Sequence, residues 1–314
     1  IDEMTLAKDA AIREDEERAV RLGVPMAEYL ADPCPEPSLT SGIAHRLITQ
    51  SALHAWHAHP RLNPDYRPEQ DDVLDAGSLA HALLLEGEAG LAIIEADDWR
   101  TKAAKEAREA AHEAGLIPVL ARKLEPARRM AEIARAALAN CGDLPMPLAA
   151  FDAEVTLQWL EPVGIWCRAR ADLMRKDRRV IVDYKTTGGS ASPDAWIRNQ
   201  MIPLGYDLQA AFYQHGNART AGPELAQFIF CVQENYPPYA VSFVGLAPAM
   251  WDIAERKRDY AVQLWASCMK SKKWPCYPNR IAYSEPMLYQ LAQAEAYTTQ
   301  ARDGIDEMLE RATV

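Results

Sequence analysis

Asp172 and, eleven residues further on, the triplet Asp183-Tyr184-Lys185 are the residues whose types and spacing can do chemistry. Side chains on a strand alternate between faces, so Asp183 and Lys185 project from one side and Tyr184 from the other. A carboxylate and an ammonium side by side at a strand end, joined by a second carboxylate from the neighbouring strand, form a hard-oxygen site. Such a site suits Mg2+ or Mn2+. A cation there polarises a phosphoryl oxygen and lowers the pKa of a bound water. Lys185 is then placed to orient or deprotonate that water and to offset charge building on the phosphorane. By itself the triplet also fits a surface ion pair, because roughly one or two acid-x-Lys triplets arise by chance in a chain with 45 acidic residues. Its setting is more telling: Asp172, a turn, the apolar run Val180-Ile181-Val182, the triplet, and then Thr186-Thr187-Gly188.

The elements that must position these residues follow from patterning. Residues 154–159 alternate with period two, as a half-buried strand does, and 164–174 read as a second strand after a turn. The run 180–182 has the character of a strand covered on both faces. Further strands are expected over 225–233 and 239–245, with helices from Pro193 and over 205–217, 248–272 and 284–312. Upstream, the spacing predicts helices over 38–56, 71–86, 101–114 and 118–138. Residues 5–30 alternate acids with Arg and Ala and read as a solvated helix, followed by a proline-rich linker at 32–37. The expected division is a helix and linker over 1–37, a helical region over 38–145, a sheet-containing core over 146–280 and a C-terminal helix over 281–314. In class this is α/β, a mixed sheet flanked by helices.

The motifs in this order resemble the PD-(D/E)XK nuclease superfamily, specifically its RecB-like branch. There one strand carries Gly-Arg-x-Asp, the next Asp-x-Lys-Thr, and a following helix Gln-x-x-x-Tyr. The chain has Arg170-Ala171-Asp172, Asp183-Tyr184-Lys185-Thr186 and Gln209-Ala210-Ala211-Phe212-Tyr213. An upstream Gly77-Ser78-Leu79-Ala80-His81 matches the helix that bears the branch's histidine. From Ser41 to about Pro278 the chain is similar to the exonuclease VIII (RecE) nuclease domains and their phage-encoded relatives, including a late Trp274-Pro275-x-Tyr277-Pro278. The resemblance implies a restriction-endonuclease-like sheet, with Asp172, Asp183, His81 and the backbone carbonyl of Tyr184 as metal ligands and Lys185 as the catalytic lysine. It further implies that Gln209 and Tyr213, which share a helix face, help position DNA. Glu154 stands where many relatives carry an acid, and is read equally as a metal-site residue or a solvated strand end.

What the resemblance implies for activity is metal-dependent degradation of double-stranded DNA ends in the 5′→3′ direction. A ring-shaped homo-oligomer would leave 3′ single strands for an annealing protein. Single-strand-specific or endonucleolytic cleavage, or DNA binding without catalysis, are the alternatives. Some RecB-like nucleases hold an iron–sulfur cluster on four cysteines; the six cysteines here are scattered singly, and no cluster is expected. Arg168, Arg170, Arg175, Lys176, Arg178 and Arg179 form the densest basic stretch. Arg168 and Arg170 share a face with Asp172 and are therefore the expected phosphate contacts. Trp56, Trp166 and Trp196 are better assigned to packing than to base stacking.

Composition bounds these readings. With 314 residues, 49% hydrophobic and 25% charged, the chain can bury a large core and is neither disordered nor collagenous. It has no run of about 18 apolar residues and its start lacks the marks of a secretory signal, so a cytoplasmic protein with reduced thiols and no membrane partner is expected. The net charge of −11 counts against nucleic acid only weakly, because a local basic channel can lie inside an acidic envelope.

Overall fold

The structure, a computed structural model, describes residues 18–67, 76–295 and 297. The described residues up to Cys276 form one compact unit, and a second unit begins at Tyr277. In the second unit, residues 288–295 are helical; the rest of the helix expected over 284–312 lies outside the described residues, apart from 297. The 5–17 part of the expected N-terminal helix lies outside them too. Among the described residues no helix is long and apolar enough to cross a membrane.

A six-stranded mixed sheet organises the first unit. Its strands are β1 (Arg18–Arg21), β4 (Phe151–Leu160), β5 (Trp166–Arg175), β6 (Val180–Thr187), β7 (Gln227–Glu234) and β8 (Val241–Gly245), in that spatial order. Only β6 and β7 run parallel, which requires a crossover; the other neighbours are antiparallel. The crossover comprises a short helix α7 (Pro193–Trp196), a π-helical turn (Ile197–Met201) and α8 (Tyr206–Arg219). Val180, Ile181 and Val182 are all buried, as expected for a strand covered on both faces.

One face of the sheet packs against α4 (Ala76–Leu85) and α6 (Ala121–Ala139), through Leu79, Leu83, Met130 and Ala134 against Leu173, Val182 and Tyr184. On the other lie α2 (Ser41–Thr49), α3 (Ala52–His57), α8 and the long α9 (Pro248–Ser271). Helix α8 comes unusually close to β4: a Cβ on Gly216 would lie 2.5 Å from the Trp159 indole, so only glycine permits this approach. The single helix expected over 38–56 is two helices. Thr40 and Ser51 each cap a new start, their hydroxyls accepting from the amides of Ile43 and His54.

Two expectations need correction. Residues 18–21, read as helix, form β1, because the free edge of β4 pairs them from Arg18 opposite Trp159 to Arg21 opposite Thr156. Tertiary pairing overrides their helical charge pattern; helix α1 (Met26–Leu30) follows. A small parallel pair, β2 (Leu91–Ile94) and β3 (Ile117–Leu120), also went unread, and β3 occupies what reads as the first turn of the helix over 118–138. Between them, α5 (Lys102–Glu113) matches the helix expected there, capped by the Thr101 hydroxyl.

Candidate active site

Register builds the site. The β5–β6 ladder pairs Met174 with Ile181 and Leu173 with Val182, then stops. One step further along that register, Asp172 stands opposite Asp183. On the other side of β5 the ladder pairs Ala153 with Leu173 and Val155 with Ala171, skipping the position where Glu154 stands opposite Asp172. Three carboxylates thus lie in one row across β4, β5 and β6, where pairing lapses and the strands part. Glu154 has φ +54°, a left-handed conformation that costs an ordinary residue about 1–2 kcal/mol. Such strain is retained where surrounding contacts hold it, often at functional sites.

From the opposite layer, α4 delivers His81 into this gap. Its Nε2 lies 3.2 Å from Asp172 Oδ2, and its Nδ1 lies 4.0 Å from Glu154 Oε1. The Tyr184 amide donates to Asp172 Oδ2 at 2.8 Å, and the Tyr184 ring packs beside the His81 imidazole, centroids 5.9 Å apart. The amide and carbonyl of one strand residue point the same way, so the Tyr184 carbonyl also faces the opening beside β5. Lys185 Nζ sits 2.6 Å from Asp183 Oδ2, confirming that the two share a face. From α8, Gln209 Nε2 donates to Asp183 Oδ1 at 2.6 Å.

The electrostatics are those of crowded, buried charge. Burial pushes Asp183 up to about 6, with Asp172 adding to the rise and Lys185 opposing it. Glu154 is also raised by burial, against the pull of Arg170. For Asp172 burial is outweighed by His81, Lys185 and the Tyr184 amide, and its carboxyl is held below the usual range. His81 and Lys185 are both raised, since the surrounding carboxylates outweigh the burial that disfavours their charged forms.

Among the described residues no set of three His, Cys, Asp or Glu side chains is already arranged to hold a metal ion. The side chains pair with one another instead, His81 with Asp172 and Lys185 with Asp183. In kind, however, the donors fit a hard divalent cation: carboxylate oxygens, one imidazole, and a buried Asp183 oxygen with no hydrogen-bond donor of good geometry. Holding a cation requires the His81 nitrogen that faces Asp172 to give up its proton, because only an unprotonated imidazole nitrogen ligates.

Other expected site residues have different work. Tyr213 is buried in the core, edge-on to Phe228, and linked to the site through Gln209; burial raises its phenol well above the ordinary value. Arg168 and Arg170, expected to contact phosphates, are corrected by their burial. Arg168 is 3% exposed and pairs with Asp32 Oδ1 at 2.9 Å and with the Ser38 hydroxyl at 2.5 Å. Arg170, 8% exposed, pairs with Glu154 and donates to the Val24 carbonyl at 2.7 Å. Both guanidinium groups also lie over the Tyr29 ring. They fasten the segment carrying Val24, Tyr29, Asp32 and Ser38 to β5, which leaves neither free for DNA. Arg178, in the basic turn, similarly holds Asn217 and Thr220. Trp196 is fully buried, while Trp56 and Trp166 are partly buried. Sequence reasoning passed over Tyr206, whose ring lies under the Lys185 ammonium at 4.7 Å. The available signal was its place three residues before Gln209, on the same helix face.

Comparison with known proteins bears on the fold and on the family. A crystal structure of a candidate exonuclease from Eubacterium rectale has a TM-score of 0.52, at 12% identity over 86% of this chain and 98% of that one, and shares its fold. A second, SSO0001, covers 77% of this chain and 87% of its own at 9% identity, with a TM-score of 0.26 that carries no argument. No curated protein matches the chain. Residues 49–286 match the family described as "PDDEXK-like domain of unknown function (DUF3799)", and the chain belongs to that family.

Proposed function

We propose that this protein is a divalent-metal-dependent DNA nuclease, and that it acts as an exonuclease on duplex ends. The row of Glu154, Asp172 and Asp183 closed by His81, with Lys185 beside it, is the observation that carries the reading. A divalent cation bound there supplies Lewis-acid activation of the phosphate and of a water. The chain's own residues account for the rest. Lys185 stands beside Asp183 to hold the attacking water and to balance negative charge on the pentacoordinate phosphorus. Gln209 fixes the Asp183 carboxylate from α8, so the helix after β6 sets the position of the carboxylate next to Lys185. Water adds to phosphorus, the bond to the leaving sugar oxygen breaks, and the products are a phosphate end and a hydroxyl end.

The finer reading is 5′→3′ degradation of the RecE type by a ring-shaped homo-oligomer, leaving 3′ strands for an annealing protein. The motif resemblance supports it, and the name of the Eubacterium rectale neighbour supports only its exonuclease part. Linear duplex DNA labelled at either 5′ or 3′ ends, digested with Mg2+ or EDTA beside a covalently closed circle, tests it. Early metal-dependent release of 5′ label with the circle intact is expected. A nicked or linearised circle would instead make the protein an endonuclease, and 3′ label released first would reverse the polarity.

A further inference from the structure

We propose that Tyr206 is the positioning residue for Lys185: its ring is a second seat for the ammonium, one that persists when Asp183 is engaged by a metal ion. The inference rests on the nuclease reading above. Among the described residues Lys185 Nζ meets Asp183 Oδ2 at 2.6 Å and the Tyr206 ring, whose centroid is 4.7 Å away. Of these, Asp183 is already shared, since Gln209 takes its other oxygen. A divalent cation on that carboxylate competes for the same electrons and repels the neighbouring ammonium, which weakens the ion pair when the lysine is needed. The ring attracts the ammonium through its quadrupole, carries no net charge and does not ligate a hard cation.

The ring is itself held still. Trp196 stacks nearly parallel to it, 5.7 Å between centroids at 19°, and Phe230 packs at 6.0 Å. Trp196 and Phe230 are both fully buried and contact each other at 5.2 Å. Phe230 is also the β7 register partner of Asp183, so platform and carboxylate share one frame. Just before Tyr206, Gly205 has φ +72°, and a Cβ there would lie 2.2 Å from His45 Nδ1. That pins the entry to α8 and with it the ring. A tyrosine that served only as packing would have no reason to keep a face under the one lysine of the site.

The test is nuclear magnetic resonance of protein labelled at the lysine Cε methylene, with the Lys185 signal assigned by its loss in Lys185→Ala. A proton group over a ring face is displaced upfield. The Lys185 signal is expected upfield in the wild type and in Tyr206→Phe, to stay there when Mg2+ is added, and to return to the ordinary lysine position in Tyr206→Leu. In DNA cleavage, Tyr206→Leu is expected to lower kcat roughly 2- to 30-fold, the span of a cation–π contact, without changing KM for DNA, and the aromatic replacement Phe rescues it. An ordinary Lys185 signal in the wild type, or one that leaves the ring when Mg2+ binds, overturns the proposal. So does a Tyr206→Leu protein that loses thermal stability but keeps its kcat. Should the Leu variant fail to fold, the wild type and Tyr206→Phe with and without Mg2+ still decide. If the wild type cuts no DNA at all, the nuclease reading fails, while the lysine signal still reports on the seat.

Discussion

At the row of acids, Lys185 and Asp183 are expected to respond to substitution in opposite ways, because in the proposed mechanism one supplies charge to the reaction while the other concentrates charge in the fold. Replacing Lys185 by Ala removes the side-chain ammonium paired with Asp183 and leaves the carboxylates in place. Cleavage is expected to fall by at least 100-fold, the scale of losing one electrostatic stabiliser, with DNA affinity in Ca2+ unchanged. Residual cleavage within tenfold of wild type would remove Lys185 from the mechanism. Asp183 is 1% exposed and stands beside Asp172, a burial that disfavours its ionised form. A carboxamide in its place keeps the shape without that charge. At this carboxylate burial outweighs the pair with Lys185, so without divalent ions at neutral pH Asp183→Asn is expected to be more stable than wild type. It should also lose the rise in melting temperature that Mg2+ gives the wild type. Scanning calorimetry with Mg2+ and with EDTA checks both; an Asn variant less stable than wild type in EDTA would mean that the Lys185–Asp183 pair stabilises the fold.

Between elements, the contacts around Asp32 decide how the N-terminal segment is tied to the sheet. Asp32, 5% exposed, accepts from the Ser38 amide at 2.8 Å and hydroxyl at 2.7 Å and pairs with Arg168. Removing one partner strands a buried charge, so Asp32→Ala is expected to cost about 3–5 kcal/mol. Arg168→Gln should lower stability and leave the salt dependence of DNA binding unchanged; a shallower dependence would return Arg168 to the phosphates. His59 belongs to the same cluster. Its Nε2 lies 3.0 Å from the Ser38 carbonyl and its Nδ1 accepts from the Arg61 amide, which together require the neutral Nε2–H ring. Burial is the main reason its pKa falls to about 4, with Arg168 and Arg61 adding to the fall and Asp32 and the Ser38 carbonyl opposing it. The unfolded chain binds this proton more readily than the fold does. Stability is therefore full above about pH 6.5 and is lost as pH falls towards 4, by about 2–3 kcal/mol. Urea unfolding at several pH values should show that slope, and His59→Gln should flatten it. Here the sequence was partly legible. Strand alternation correctly put Arg168 and Arg170 on the face of Asp172, but their partners Asp32 and Val24 are distant in the chain, and no local pattern announces them. The same holds for β1, an edge strand defined by its pairing with β4, and for Glu154, which joins the row only through inter-strand register. Asp183 and Lys185 were legible as a pair because their geometry is local, two residues along one strand, whereas Gln209, expected to help position DNA, reaches Asp183 from α8, 26 residues further on.

For the molecule as a whole, charge and assembly are one problem. A chain of net charge −11 is repelled by a duplex at long range, so sustained degradation needs the substrate to be held by topology or by a local concentration of cations. With Arg168 and Arg170 committed to the fold, the basic stretch beside the site contributes less to that concentration than its sequence promises. The proposed ring resolves the conflict, because copies that encircle DNA keep it near the site while their acidic faces meet solvent. If this is how the protein works, sedimentation at micromolar concentration shows a species several times the mass of one chain. Specific activity on long duplex then rises with protein concentration across the range where that species forms, and an excess of unlabelled DNA added after the start fails to stop degradation of the first substrate. A monomer with constant specific activity, whose degradation stops at once on that challenge, would instead place the grip on DNA within a single chain. The exposed cations of that chain would then have to account for all of the binding.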